Sequence, residues 1–133
     1  MGDAIAAAAL ALVGVPFRLH GRCAQMGVDC VGLALLALRR AGLNVPEPPP
    51  YRLRAGDAPM LPRWMHEAGF VAVGGRCVGD LVAVRVGALQ PHLMVDGGDV
   101  AVHAHAAIGR VVAMPMPGEW PELSRWRHMT SGG

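Results

Sequence analysis

The chain contains no lysine, so all twelve of its basic residues are arginine. We attribute this to the composition bias of a GC-rich genome, because lysine is compatible with any protein surface. Basic and acidic residues nearly balance at a formal net charge of +2. No basic cluster is interleaved with aromatic residues, and this pattern argues against a nucleic-acid-binding protein.

Aromatic residues are also scarce, at 5% of a chain that is 53% hydrophobic. Alanine, valine, leucine and methionine must therefore supply most of the core. This composition is typical of a globular protein rather than a disordered one. With 133 residues, we expect a single domain over residues 1–133 that is large enough to bury a substantial core.

Long apolar runs are missing as well. No apolar run in the chain reaches the length of about 20 residues that a bilayer span needs. The chain begins with the Ala-rich stretch GDAIAAAALALVGV, which includes Asp3 but no basic residue. That charge is wrong for a signal peptide. We therefore expect an Ala-rich helix over residues 3–13, ended by Gly14 and Pro16. We also expect cytoplasmic synthesis without a signal peptide, and no membrane partner.

The cysteines are few and odd in number: Cys23, Cys30 and Cys77. An odd count argues against a complete disulfide framework, and the lack of a CxxC pair argues against structural zinc. We expect at least one free thiol and no cofactor. His103 and His105 share a strand face and could bind a metal, but no further ligands cluster with them in the sequence.

The first half of the chain has helical periodicity. Apolar residues from Cys30 onward recur at helical spacing, and Gly42 ends that pattern. A proline-rich connector covers residues 44–57. Asp57 is then a suitable N-cap for a short helix over residues 58–68.

After Gly69 the sequence becomes Val-rich and is divided by Gly and Pro, which predicts strands in tight antiparallel connection. The predicted strands cover residues 70–73, 80–86, 92–96, 99–105 and 110–114. We expect the tail from Pro115, with two of the three Trp residues, to cover one edge of the sheet. Helices followed by a sheet predict an α+β fold.

The stretch GVDCVGLALLAL, residues 27–38, places Cys30 where a helix begins. A helix N-terminus favours a thiolate and offers N–H groups to an oxyanion, although free cysteine is also a common core residue. A nucleophilic cysteine needs a base. His92 opens one predicted strand and His103 lies on the next, so the three could form a Cys-His-His arrangement.

Four segments, in order, resemble the NlpC family of papain-like cell-wall peptidases. They are GVPFRLHG (14–21), DCVGL (29–33), GDLVAV (79–84) and HLMVDGGDVAVHA (92–104). The resemblance implies a papain-like α+β fold, with the cysteine helix packed on an antiparallel sheet. It implies a cysteine peptidase that hydrolyses peptidoglycan stem peptides next to D-glutamate.

The resemblance also implies residue roles. Cys30 would be the nucleophile, His92 the base and His103 the residue that orients the base, with His105 as a rival for that last role. Asp29 would line the substrate cleft, and Phe17 and His105 would lie at the substrate site. Phe17 replaces the usual Tyr of the family.

Val31 replaces the usual Ser after the nucleophile, so a catalytically weak assembly component of a phage tail is an alternative. An amidase or acyltransferase on the same fold is another. The EPPPY segment after the cysteine helix resembles the subset of the family found in phage tails and gene-transfer particles. It implies phage tail proteins as partners and incorporation into a virion tail.

Overall fold

Three helices precede the main sheet along the chain. The computed structural model describes residues 1–50, 60–86, 91–116, 118 and 120–130. Its helices are α1 (Gly2–Leu10), α2 (Cys30–Arg40) and α3 (Met60–Glu67). The predicted helix over 58–68 corresponds to α3, whereas its expected N-cap Asp57 lies outside the described residues.

Helix α1 is shorter than the predicted 3–13. The N–H groups of Leu12 and Val13 bond to carbonyl oxygens three residues back, which tightens the chain and ends the regular helix. Gly14 then adopts a φ of 97°, a conformation that favours glycine over other residues. The predicted stop at Gly14 is therefore about one turn too late, because the helix ends at Leu10 and a turn continues to Gly14.

Helix α2 begins at Cys30, as the periodicity predicts. The side chain of Asp29 caps it by accepting a hydrogen bond of 2.8 Å from the backbone N–H of Gly32. Arg39 and Arg40 lie in its last turn, where positive charge interacts favourably with the helix dipole. Almost every other side chain of α2 is buried, so the helix forms the centre of the core.

In the part of the chain that the structure describes, eight strands form two antiparallel sheets. A small sheet contains β1 (Arg22–Cys23) and β2 (Gly27–Val28). The main sheet contains β3 (Phe70–Ala72), β4 (Leu81–Arg85), β5 (Pro91–Asp96), β6 (Val100–His105), β7 (Arg110–Pro115) and β8 (Glu122–His128). Its strand order is β3-β8-β4-β5-β6-β7. The predicted α+β class is confirmed.

The tail forms an interior strand of the main sheet, so its predicted position at an edge is wrong. β8 lies between β3 and β4 and pairs with both. For the same reason, the segment 74–79 is not the tight hairpin connection that we expected, because β3 and β4 are not neighbours. Of the other glycine-containing connections, 97–99 and 106–109 do join neighbouring strands, whereas 87–90 lies outside the described residues.

Buried ion pairs hold β8 in this interior position. The Arg125 guanidinium lies 2.9 Å from an Asp80 carboxylate oxygen and 2.8 Å from one of Asp96. Arg127 binds Asp80 at 2.8 Å. Asp80, Asp96 and Arg125 are almost completely buried. We call Asp80, Asp96, Arg125 and Arg127 the arginine cluster; it explains how a charged tail segment is accommodated inside a sheet.

The core lies between the helices and one face of the main sheet. Side chains of α1 and α2 pack there against alternate residues of β5 and β6, among them Leu93, Val95 and Val102. The opposite face carries His92, Met94 and other residues of the alternate set. This arrangement brings the N-terminus of α2 beside the start of β5.

Candidate active site

A cavity of about 330 Å³ lies where α2 begins and where β5 starts and β6 ends. Five of the six residues predicted for the functional site line this cavity: Phe17, Cys30, His92, His103 and His105. Its remaining lining residues are Val86, Ala104, Ala106, Ala107 and Trp120. The described lining is therefore apolar except for one thiol, three imidazoles and the indole N–H.

At the cavity, β5 and β6 are paired over only part of their length. Among the described residues, their backbones pair at Val95 with Val102 and at Asp96 with Ala101. The pairing stops short of His92 and His103. The two imidazoles make the connection there instead of the backbone, and this leaves room for a side chain from α2.

Cys30 is 5% exposed and lies in the first turn of α2. Its thiol is within hydrogen-bonding reach of the backbone N–H groups of Leu93, Val31 and Cys30 itself. Since Leu93 follows His92 directly, the sulfur lies beside the start of β5. Burial raises the pKa of the Cys30 thiol to about 11, and the negative charge of Asp29 adds to the effect.

His92 and His103 are joined by a direct hydrogen bond. His92 Nε2 lies 2.9 Å from His103 Nδ1, and the two rings are nearly perpendicular at 84°. This bond engages Nε2 of His92 and leaves Nδ1 as the nitrogen available to the Cys30 thiol. The geometry therefore brings together the predicted nucleophile, base and orienting residue. The base is held through Nε2, the ring nitrogen that is bound to His103.

Both imidazoles are neutral at pH 7. Burial, followed by the charges of His103 and His105, lowers the pKa of His92 to about 3. Burial, followed by the charge of His105, lowers the pKa of His103 to about 4. With the Cys30 pKa raised, the resting site holds a neutral thiol beside a neutral imidazole, rather than a thiolate–imidazolium pair.

His105 lies beside this pair without joining its hydrogen bond. Its ring centroid is 5.4 Å from that of His103, and its Nδ1 accepts a hydrogen bond of 3.2 Å from the backbone N–H of Ile108. We call His92, His103 and His105 the histidine cluster. The structure pairs His92 with His103 and gives His105 a place in the cavity wall.

Trp120 covers the histidine cluster, and the sequence analysis did not identify it. Its ring centroid lies 5.8, 5.2 and 6.2 Å from those of His92, His103 and His105, respectively. Its position depends on the path of the tail between β7 and β8. An aromatic residue in that segment was the only available signal, and it suggested an edge cover instead.

Asp29 differs from the other predicted site residues because it is fully buried. Besides capping α2, its carboxylate accepts hydrogen bonds from the backbone N–H of His20 at 2.8 Å and from Arg22 at 3.2 Å. It thus fixes the loop before α2. Its contact with a substrate stays a prediction.

Phe17 is held at the cavity by its backbone N–H, which donates to the carbonyl oxygen of Gly109 at 2.8 Å. Its ring presents no hydrogen-bonding group where the family resemblance expects a tyrosine hydroxyl. Val31 is buried behind Cys30 at 2% exposure, so its position contributes packing.

Three further features of the sequence analysis concern the cysteines, metal binding and membrane spans. All three cysteines are free thiols, which agrees with the expected free thiol. Within the described part of the chain, no group of three or more His, Cys, Asp or Glu side chains is arranged to hold a metal ion. No helix among the described residues is long and apolar enough to cross a membrane.

The fold resembles solved NlpC/P60 structures. NlpC1 from Trichomonas vaginalis aligns with a TM-score of 0.67 at 16% identity, over 95% of this chain and 44% of that one. The NlpC/p60 domain of the peptidoglycan hydrolase SagA aligns with a TM-score of 0.65 at 21% identity, over 96% and 98% of the two chains. The peptidoglycan hydrolase RipB from Mycobacterium tuberculosis gives 0.62 at 20% identity, over 96% and 64%.

No family model and no curated protein matches the chain. The chain spans less than half the length of the Trichomonas structures and of an NlpC/P60 protein from Bacillus cereus. At such low identities these likenesses concern the fold alone. The chain has the papain-like α+β fold of the NlpC/P60 structures, as the sequence predicts.

Proposed function

We propose that this protein is a cysteine peptidase of the NlpC/P60 type that hydrolyses peptides of peptidoglycan. The observation that carries the proposal is the convergence of Cys30, His92 and His103 on one cavity, with His92 Nε2 bound to His103 at 2.9 Å. Two neighbours in fold, SagA and RipB, are described as peptidoglycan hydrolases.

The reaction would begin with proton transfer from the Cys30 thiol to Nδ1 of His92. The sulfur attacks the carbonyl carbon of the scissile amide, and its oxygen becomes an oxyanion. Backbone N–H groups at the start of α2 are suited to stabilise that charge. The raised pKa of Cys30 and the lowered pKa of His92 both favour the neutral pair, so the proton transfer belongs to the step of attack.

Collapse of the tetrahedral intermediate breaks the C–N bond and leaves a thioester on Cys30. The imidazolium of His92 gives its proton to the departing amine. A water molecule then attacks the thioester, His92 takes the proton of that water, and Cys30 is released with its proton restored. His103 holds the ring of His92 in the orientation that both steps need.

The substrate proposed within this class is a stem peptide cleaved next to D-glutamate, as the sequence resemblance implies. The same resemblance supports a setting in a phage tail or gene-transfer particle, where local wall degradation would be the role. The EPPPY segment carries that part of the proposal, together with the order of the four motifs.

Digestion of purified muropeptides tests the proposal. The wild-type protein should release peptide fragments, which mass spectrometry identifies together with the bond that was cut. Cys30→Ala should abolish release, because Cys30 is the only thiol in the described lining of the cavity. Cys23→Ala is the matched control, since Cys23 is exposed; equal activity of the Cys30 and Cys23 variants would refute the assignment.

A second candidate is an assembly component of a tail that retains the fold but hydrolyses poorly. Phe17 and Val31 favour it, because both remove hydroxyl groups that the family places near its nucleophile. This candidate predicts no fragment release by the wild-type protein. It also predicts that Phe17→Tyr, which restores one hydroxyl at the cavity, gains measurable hydrolysis.

An amidase or acyltransferase on the same fold is the remaining candidate. The described lining of the cavity favours it, because that lining contains no Asp, Glu or Arg and is suited to an apolar acyl group. Adding a primary amine during the reaction separates the two chemistries. Transfer of the acyl group to the amine in preference to water would identify an acyltransferase.

A further inference from the structure

Met114 contacts the histidine cluster from the neighbouring strand. Its thioether sulfur lies 2.8 Å from Nε2 of His103, on the side of the ring opposite to the bond with His92. Met114 is in β7, paired with Ala101 of β6, so its backbone position is fixed by the sheet. His103 therefore has a partner at each ring nitrogen: an imidazole at Nδ1 and a sulfur at Nε2.

The two partners differ in what they can do. A thioether sulfur carries no proton and can only accept a hydrogen bond. Burial holds the pKa of His103 at about 4, so the ring is neutral at pH 7 and bears one N–H. When that N–H is on Nε2, it can donate to the Met114 sulfur, and the contact is favourable. When the N–H is on Nδ1, the lone pair of Nε2 faces a lone pair of the sulfur, and the two repel each other.

The tautomer of His103 determines the tautomer of His92, because the two rings share a hydrogen bond. With its proton on Nε2, His103 presents a lone pair at Nδ1, so His92 must donate from Nε2. A neutral His92 with its proton on Nε2 has a lone pair on Nδ1, the nitrogen left for Cys30. The opposite tautomer of His103 would leave His92 with an N–H facing the thiol, where it could not act as a base.

We propose that Met114 is a positioning residue that fixes the tautomer of His103 and, through it, keeps Nδ1 of His92 free to accept the Cys30 proton. Met114 is not among the described residues that line the cavity, so its role would be exercised only through the histidine pair. The activity part of this inference rests on the proposed peptidase function. The tautomer part concerns the resting protein and stands independently of any substrate.

Three variants distinguish the effect of losing the hydrogen-bond acceptor at Met114 from the effect of changed packing. Met114→Leu keeps the side-chain volume but removes the acceptor. Met114→Gln restores an acceptor oxygen at similar reach. Met94→Leu makes the same methionine-to-leucine change at a buried position on the same sheet face, and serves as the matched control.

Long-range ¹⁵N–¹H correlation spectra of protein labelled at histidine nitrogen report which ring nitrogen bears the proton at pH 7. His103→Asn identifies the His103 signals. We expect the Nε2–H form of His103 in the wild type, in Met94→Leu and in Met114→Gln, and a mixture of both tautomers in Met114→Leu. A wild-type His103 with its proton on Nδ1, or an unchanged tautomer in Met114→Leu, would overturn the proposal.

Muropeptide hydrolysis supplies the second readout. Loss of one neutral hydrogen bond predicts a fall in kcat of about 3- to 10-fold for Met114→Leu, with KM unchanged and with recovery in Met114→Gln. A changed tautomer with unchanged kcat would refute the positioning role. A wild type that hydrolyses nothing would refute the proposed function, while the spectra would still decide whether Met114 fixes the tautomer.

Discussion

Strand β5 carries a polar residue near each end, half-buried His92 and buried Asp96, and the two residues have different electrostatic surroundings. His92 begins the strand in the histidine cluster, whereas Asp96 ends it in the arginine cluster. Both side chains lie on the same sheet face, with Met94 between them. Asp96 is neutralised by buried Arg125, whereas His92 and His103 have no opposite charge among their described neighbours and remain neutral.

This difference separates a structural polar site from a reactive one. In the arginine cluster each charge is bound by an opposite charge, so every proton is fixed and the strands are held together. In the histidine cluster the neutral rings of His92 and His103 share a hydrogen bond, so a proton can move between them. The same sheet thus stabilises β8 at one end of β5 and offers a proton acceptor at the other.

Breaking the arginine cluster should have the largest effect on stability. Arg125→Ala leaves Asp80 and Asp96 buried without their shared cation, and we expect a loss of about 3–5 kcal/mol in the free energy of unfolding. Urea denaturation measures it. Arg63→Ala removes an exposed arginine and should change stability by less than about 0.5 kcal/mol; equal losses would show that the cluster contributes little.

As the pH falls, the contribution of the histidine cluster to the free energy of unfolding should be lost before that of the arginine cluster. The folded pKa of His103 is about 4, below the ordinary value of about 6.5, so the unfolded chain binds more protons between these values. The free energy of unfolding therefore falls as pH drops from 6.5 towards 4, by about 3 kcal/mol for a full shift of this size.

Asp96 has a lowered pKa because hydrogen bonds from Arg76 and Arg125 outweigh its desolvation, so its contribution is lost only below the ordinary carboxylate range. Urea unfolding of the wild type at pH 7, 5.5 and 4.5 tests the order. His103→Asn should reduce the decline in this window, whereas His66→Asn, at an exposed position, should leave it intact. An equal decline in both variants would contradict the assignment to His103.

Within the histidine cluster, the hydrogen bond predicts unequal roles for His103 and His105. His103→Ala should lower kcat on muropeptides by about 100-fold, since the base loses its orienting partner. His103→Asn should retain part of the activity through its acceptor oxygen. His105→Ala should cost less than about threefold; a larger loss for His105 than for His103 would reverse the assignment.

The sequence predicted the elements whose determinants are local. Helix α2 follows from the spacing of its apolar residues, although its Asp29 cap was not predicted, and the Val-rich strands follow from their composition and glycine boundaries. Cys30, His92 and His103 came from an ordered set of motifs, and the structure brings them to one cavity.

The features that the sequence did not predict depend on distant partners. β8 reads ELSRWRH, which is too polar for an interior strand until Asp80 and Asp96 supply counter-charges for its arginines. Trp120 and Met114 reach the histidine cluster only through the path of the tail and the β6–β7 register. No local pattern around either residue indicates a histidine partner.

The central claim is that Cys30 forms a thioester with its substrate. Acid quenching of the protein during muropeptide turnover, followed by peptide mass spectrometry, tests it directly. The account predicts an acyl adduct on the peptide that contains Cys30, accumulating in the wild type and missing from Cys30→Ala. Fragment release with no adduct on Cys30, or with the adduct on Cys23 or Cys77, would contradict it.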